Sequence, residues 1–88
     1  ENVDVVDVRE LKVLPEVNEF SNIKIPLQQL KDKTGLLKSD TIIVFCQTGS
    51  RSLQATKVLS SIFGDKKKIY SLRGGIVRWK QRQGKQSL

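Results

Sequence analysis

The sequence contains no histidine and no methionine, and it has one cysteine, two prolines and five aromatic residues among 88. Without histidine it lacks both the usual neutral-pH general base and the commonest zinc ligand. A single cysteine excludes an internal disulfide and any cysteine-rich metal cluster. No apolar run approaches the roughly 20 residues of a membrane span, and no signal peptide is visible, so we expect a cytoplasmic protein.

The net charge of +7 is concentrated in the last quarter of the chain. Residues 1–63 carry eight basic and eight acidic side chains, whereas residues 64–88 carry eight basic side chains against Asp65 alone. Such a patch suits a nucleic acid, an anionic substrate or an acidic protein, and it also occurs as a solvated tail. Because aromatic residues are few and no nucleic-acid motif is recognisable, we expect no nucleic-acid partner. The lack of a long apolar run leads us to expect no membrane partner either.

Short apolar runs alternate with helical patterns along the chain. The β-branched runs predict strands at residues 3–8, 23–25, 41–45 and 68–72. Apolar residues at helical spacing predict helices at residues 27–37, 52–63 and 76–81. Alternation of this kind predicts a small α/β domain over residues 1–82, with a parallel sheet flanked by helices on both faces, followed by a tail over 83–88.

The polar loop that begins at Cys46 is the strongest candidate for chemistry. Cys46 ends the apolar run 41–45, and ligands of open α/β sheets bind at the carboxyl ends of strands. Backbone N–H groups of such a loop, together with the helix N-terminus that follows, form a site for negative charge. A thiolate there is stabilised, so we expect the pKa of Cys46 to fall below its free value.

The other loop residues have supporting roles in this interpretation. Arg51 adds a fixed positive charge that suits an oxyanion, Gly49 permits a conformation that a β-carbon would obstruct, and Ser50 or Ser52 is expected to cap the helix. The predicted persulfide- or anion-binding loop consists of Gln47, Thr48, Gly49, Ser50, Arg51 and Ser52. The alternative is an ordinary buried cysteine at the end of a strand. A core cysteine does not need a polar, glycine-containing loop after it, so we favour a reactive Cys46.

Three further residues are candidates for the rim of the site. Asp7 and Arg9 end the first predicted strand, where a structural ion pair or a loop anchor is favoured over direct substrate contact. Arg73 ends another strand, and it is equally compatible with lining the pocket and with a solvated loop. Gly74 and Gly75 are interpreted as a tight turn, since a lone Gly-Gly is poor evidence of phosphate binding.

Four segments of the chain resemble the rhodanese-homology domain in order and approximate spacing. They are Val6-Asp7-Val8-Arg9-Glu10, Ile25-Pro26-Leu27 with Leu30, Ile43 to Ser52, and Tyr70 to Trp79. The resemblance implies a rhodanese-like fold and a sulfurtransferase that carries sulfane sulfur as a persulfide on Cys46. It implies no cofactor and no metal, and a small sulfur donor such as thiosulfate or a protein persulfide. The related phosphatases have one residue more between Cys and Arg than the six-residue loop Cys46–Arg51, which favours sulfur transfer.

Within that family the chain looks most like the C-terminal rhodanese domain fused to adenylyltransferases that activate ubiquitin-like sulfur carriers. This resemblance implies an acidic ubiquitin-like sulfur carrier as acceptor, in molybdopterin or thiamine biosynthesis, and a fused adenylyltransferase domain. The missing methionine and the start at the Asp-Val-Arg-Glu strand predict a domain cut from a longer protein and shortened at its N-terminus. A stand-alone thiosulfate sulfurtransferase and a non-catalytic rhodanese-like binding module are the alternatives.

Overall fold

The computed structural model describes residues 2–86, and side chains as far as residue 82. The strands are β1 (Val3–Asp7), β2 (Ile23–Lys24), β3 (Thr41–Phe45) and β4 (Lys68–Ser71). The helices are a 3₁₀ segment (Leu27–Leu36), α1 (Ser50–Phe63), a short 3₁₀ turn (Gly64–Lys66) and α2 (Gly75–Gln86). The predicted α/β class with a small parallel sheet is therefore confirmed.

The sheet has the order β2-β1-β3-β4, and every strand pair in it is parallel. The longest pairing joins β1 to β3 from Val3 opposite Thr41 to Asp7 opposite Phe45. Because all strands run the same way, the carboxyl ends of β1, β3 and β4 meet at one edge. Asp7, Cys46 and Ser71 therefore lie at the same edge of the sheet.

Side chains alternate between two layers of apolar packing, as the two-residue period of a strand requires. On one face, Val6 and Val44 pack with Leu30 of the 3₁₀ segment and Leu59 of α1. The opposite face carries Phe45 with Ile76, and Phe20 and Trp79 cover it. Helices thus lie on both faces, as predicted.

Several predicted boundaries differ from those observed. The predicted helix at residues 27–37 is a 3₁₀ segment with a kink at Lys33, two residues before Gly35, which disfavours a regular α-helix. Helix α1 begins at Ser50 rather than Ser52, because the positive φ of Gly49 (110°) lets the chain turn directly from the loop into the helix. Helix α2 continues to Gln86, past the predicted end near Gln81. Residues 87–88 of the predicted tail lie outside the described residues.

Among residues 2–86, no helix has both the length and the apolar character that crossing a membrane requires.

Candidate active site

Cys46 is the first residue of the loop between β3 and α1, and two backbone N–H groups point at its sulfur. The Gly49 N–H donates to Sγ at 3.0 Å and the Ser52 N–H donates at 3.3 Å. The Cys46 side chain is buried, and its thiol lies 3.6 Å from the Ser52 hydroxyl oxygen. The loop therefore surrounds the sulfur with donors at the positive end of α1, which favours a negative charge.

These contacts determine the direction of the thiol's titration. Burial raises the pKa of Cys46, but hydrogen bonds from the Ser52 side chain and from the backbone of Ser52, Gly49 and Arg51 together outweigh it. The net result is a pKa below the ordinary value of a thiol. This direction agrees with the one predicted from the loop sequence.

The predicted side-chain cap of α1 is wrong. Gly49 occupies the cap position, and no side chain there accepts a hydrogen bond from the helix. The Ser52 hydroxyl instead donates to the Gly49 carbonyl at 3.1 Å and lies 2.7 Å from the Ser71 hydroxyl. Ser52 is thus turned beneath the loop, toward the sulfur and β4, because its position in the first turn of α1 faces the sheet.

A cavity of about 320 Å³ opens beside Cys46. Its lining residues are Arg9, Glu10, Val13, Cys46, Gln47, Thr48, Ser50 and Arg51. A larger hollow of about 410 Å³ lies between Asp7 and the segment 16–24, but no thiol lines it. Since Cys46 lines the smaller cavity, that cavity is the candidate substrate pocket.

Arg51 lies at the rim of this cavity and is paired with an acidic side chain. Its Nη1 donates to Glu10 Oε1 at 3.1 Å, and both side chains are about half exposed. A hydrogen bond from Gln28 and the charge of Arg51 keep the pKa of Glu10 below its ordinary value, against the opposing effect of desolvation. Arg51 therefore brings a partly neutralised charge to the site. The sequence singled out Arg51, but nothing in it identifies Glu10 as the partner.

Asp7 and Arg9 form a buried ion pair that supports the loop from behind. Arg9 donates to both carboxylate oxygens of Asp7 at 3.0–3.2 Å, and Lys24 Nζ lies 3.5 Å from the same carboxylate. Arg9 also donates to the Gln47 side-chain oxygen at 3.1 Å and to the Pro15 carbonyl. This pair connects the end of β1 to the loop, and only Arg9 of the two lines the cavity.

The first turn of α2 is fastened to the same loop. The N–H of Ile76 donates to the Cys46 carbonyl at 2.9 Å, and the N–H of Val77 donates to the Gln47 carbonyl at 3.2 Å. Since C=O and N–H of a trans peptide unit point in opposite directions, the N–H groups of Gln47 and Thr48 point away from α2. The helix thus fixes two more peptide units of the loop.

Gly75 makes this close approach possible. A Cβ at Gly75 would overlap the backbone of Gln47 and Cys46, and the residue has a positive φ of 67°. The sequence predicts only a turn at Gly74 and Gly75, because contact with a loop 28 residues earlier leaves no local signal.

Comparison with protein families identifies the family of this domain. The model of the rhodanese-like domain matches residues 1–82. The chain belongs to the rhodanese-like family. The resemblance seen in the sequence is confirmed at this level, and Cys46 occupies the loop position that carried it.

Solved structures agree with this assignment. The domain matches a rhodanese-related protein from Thermoplasma volcanium at 30% identity and a TM-score of 0.74, covering 92% of this chain and 79% of that one. A rhodanese homolog from the extremely thermophilic bacterium Thermus thermophilus is 27% identical, with a TM-score of 0.64 and coverage of 84% and 79%. A NAD-dependent persulfide reductase from A. fulgidus is 28% identical with a TM-score of 0.70, over 88% of this chain but only 14% of the reductase. No curated protein matches the chain.

The remaining candidate, Arg73, lies apart from the pocket of this rhodanese-like domain. Its side chain is exposed, and the residues that line the cavity at Cys46 do not include it. Within the described part of the chain, no group of three or more Cys, Asp or Glu side chains is arranged to hold a metal ion.

Proposed function

We propose that this rhodanese-like domain is a sulfurtransferase that carries sulfane sulfur as a persulfide on Cys46. The observation that carries the proposal is the pair of N–H groups of Gly49 and Ser52, directed at Sγ beside an open cavity. A thiolate in that position is stabilised without a neighbouring base, and the chain has no histidine to act as one.

The reaction has two displacement steps. The Cys46 thiolate attacks the outer sulfur of a donor such as thiosulfate, a Cys–S–S bond forms, and the donor's S–S bond breaks with its electron pair leaving on sulfite. An acceptor nucleophile then attacks the terminal sulfur, and the electron pair of that S–S bond returns to Cys46. Neither step needs a further oxidant or reductant.

Backbone N–H groups of the loop are available to stabilise the persulfide intermediate. The persulfide places its negative charge one atom farther out than the thiolate does, toward the cavity. The N–H groups of Gln47 and Thr48, which point away from α2, are the donors we assign to that outer sulfur, with Arg51 at the rim. The similar A. fulgidus protein is named a persulfide reductase, which supports persulfide chemistry for this chain.

The test is direct loading of the protein with sulfur. Wild-type protein, Cys46→Ala and Cys46→Ser are incubated with thiosulfate or glutathione persulfide and weighed by mass spectrometry, and transfer to cyanide is measured in parallel. We expect wild type to gain the mass of one sulfur atom, which a thiol reductant removes, and both variants to gain none. If folded wild type gains no sulfur from either donor, the domain is a non-catalytic binding module instead.

The physiological acceptor is a finer proposal. An acidic ubiquitin-like sulfur carrier, an adjoining adenylyltransferase and a place in molybdopterin or thiamine biosynthesis stay predictions from the sequence resemblance. The exposed basic side chains of Lys66, Lys68, Arg73 and Arg78 favour an acidic partner. Sulfur transfer from loaded protein to a purified acidic carrier, compared with a neutral one, tests this preference.

A further inference from the structure

Among the described residues, the Ser52 hydroxyl has three polar neighbours. Its oxygen lies 3.6 Å from Cys46 Sγ, 3.1 Å from the Gly49 carbonyl oxygen and 2.7 Å from the hydroxyl oxygen of Ser71. Ser52 is completely buried, whereas Ser71 is half-buried at the end of β4. The Ser52 hydroxyl thus connects Ser71 to the Cys46 sulfur, although Ser71 lies 25 residues after Cys46 in the chain.

The direction of each hydrogen bond follows from what each group is able to donate. A hydroxyl donates one hydrogen and accepts two, and a carbonyl only accepts. When Cys46 is a thiol, its S–H donates to Ser52 Oγ, and the hydrogen of Ser52 goes to the Gly49 carbonyl. Ser71 is then the donor in its contact with Ser52.

Ionisation of Cys46 changes one of these bonds and leaves the others. The thiol proton leaves to solvent, and the thiolate sulfur accepts hydrogen bonds without donating any. The hydrogen of Ser52 then turns from the Gly49 carbonyl to Sγ, while Ser71 remains a donor to Ser52 Oγ. The Gly49 carbonyl keeps the Leu53 N–H as a partner at 3.1 Å, so this rotation leaves no buried carbonyl without a donor.

We propose that Ser71 is a positioning residue, which holds the Ser52 hydroxyl so that its hydrogen follows the charge on Cys46. A donor to Ser52 Oγ polarises the Ser52 O–H and strengthens its bond to the thiolate, as in any chain of hydrogen bonds. Loss of the Ser71 hydroxyl therefore destabilises the thiolate relative to the thiol. The inference deepens the proposed function, because it concerns the same sulfur, but it is measurable without a sulfur donor.

The experiment is the pH dependence of Cys46 alkylation by iodoacetamide in a set of serine variants. Ser52→Ala removes a hydrogen bond to a charged group, and we expect it to raise the pKa of Cys46 by about one unit. Ser71→Ala is expected to raise it by about half a unit, since it removes only the polarising donor. The double variant is expected to titrate as Ser52→Ala does, because Ser71 acts through Ser52.

Two comparisons separate positioning from a merely structural effect. Ser71→Thr keeps the hydroxyl, whereas Ser71→Val removes it from a side chain of the same shape as threonine. Cys46 is therefore expected to titrate as in wild type in the threonine variant and to show the shift of Ser71→Ala in the valine variant. This pair also provides the test if the alanine variant does not fold. Ser61→Ala removes an exposed hydroxyl of α1 that donates to the Val58 carbonyl, and it is expected to leave the titration unchanged.

A Ser71→Ala or Ser71→Val protein that titrates as wild type overturns the proposal. So does a shift of equal size when Ser52 is already alanine, because Ser71 would then act independently of Ser52. If Cys46 titrates as expected in the serine variants but wild type gains no sulfur from either donor, the sulfurtransferase assignment is refuted and the role of Ser71 stands.

Discussion

At the scale of single residues, the lowered pKa of Cys46 comes from hydrogen-bond donors rather than from a neighbouring side-chain base. These donors are the N–H groups of Gly49 and Ser52 and the Ser52 hydroxyl, which stay protonated at every accessible pH. The stabilisation of the thiolate therefore does not itself titrate.

Alkylation of Cys46 is expected to reach half its maximal rate at a lower pH in the native chain than in the same chain unfolded in urea. The pKa is lowered in the folded state by the donors of the loop. The chain has one cysteine, so the labelled mass of the whole protein reports this site alone. Equal midpoints in the two states would contradict the stabilised thiolate.

The same shift has a consequence for stability. Because folding lowers the pKa of Cys46, its thiolate stabilises the native state fully above the unfolded pKa of about 8.5, and this contribution disappears as pH falls through the folded value. The free energy of unfolding of wild type minus that of Cys46→Ala is thus expected to increase with pH below about 8.5. Urea titrations at several pH values measure it, and a difference that decreases with pH would have the wrong sign.

Glu10→Gln is expected to improve the use of an anionic donor. The Glu10 carboxylate pairs with the Arg51 guanidinium at 3.1 Å. Replacing this carboxylate with a neutral amide therefore frees the charge of Arg51 for the sulfonate end of thiosulfate. The KM for thiosulfate should fall by about five-fold at most, because exposed ion pairs are weak. Glu19→Gln is the matched control, since Glu19 is another exposed carboxylate, paired with Lys80 instead. A KM that is unchanged, or that falls equally in both variants, speaks against this role of Glu10.

At the scale of elements, the loop at Cys46 is held between two helices. Its far end continues into α1, and its first two carbonyls accept hydrogen bonds from α2. The Asp7–Arg9 ion pair reaches it from β1 through Gln47. Three elements far apart in sequence therefore determine the shape of one short loop.

Gly75→Ala is expected to damage both the fold and the site. A β-carbon there overlaps the carbonyl groups of Cys46 and Gln47 at a positive φ. The combined cost of the left-handed conformation and of overpacking is about 2–4 kcal/mol in the free energy of unfolding. The pKa of Cys46 is also expected to rise as the loop shifts. Urea unfolding and the alkylation titration measure the two effects.

Gly35→Ala is the control for that variant. Apart from the chain neighbours and the adjacent helical backbone, no atom lies within 4 Å of a β-carbon built at Gly35, so we expect stability and alkylation to match wild type closely. A Gly75→Ala protein as stable as Gly35→Ala would mean that α2 does not need to approach the loop so closely.

The sequence predicts this level of organisation unevenly. Strand β3 and the loop after it are local patterns, an apolar run followed by Cys46 and Gly49, and both are found where they were expected. The partners of the loop are not local. The contacts of Gly75 with Gln47, of Ser71 with Ser52 and of Glu10 with Arg51 form only after the sheet has assembled, and residue type alone does not pair them.

At the scale of the whole molecule, a small domain depends on two thin apolar layers. One lies beneath α1 and the 3₁₀ segment, and the other beneath α2. The second is completed by edge-to-face contacts of Phe20 with Phe45 and Trp79, at centroid distances of 5.5 and 5.2 Å. A domain of this size has a total stability of about 5–15 kcal/mol, so single core side chains matter.

Leu59→Ala is expected to lower the free energy of unfolding by about 2–5 kcal/mol, the usual range for a fully buried leucine. Leu53→Ala, on the same helix at 55% exposure, is expected to change it by about 0.5 kcal/mol or less. Urea unfolding of the two variants compares the same Leu→Ala substitution at a buried and at an exposed position of one helix. Similar losses in both would mean that α1 packs by a different face.

The hydrogen bonds between α2 and the loop also provide a measure of how often the loop around the sulfur opens. The amide hydrogens of Ile76 and Val77 are covered by the carbonyls of Cys46 and Gln47, so they exchange with deuterated solvent only when the helix and loop separate. Their exchange rates measure how often the loop around Cys46 opens. A substrate or a loaded sulfur that draws the loop together would slow these two amides first.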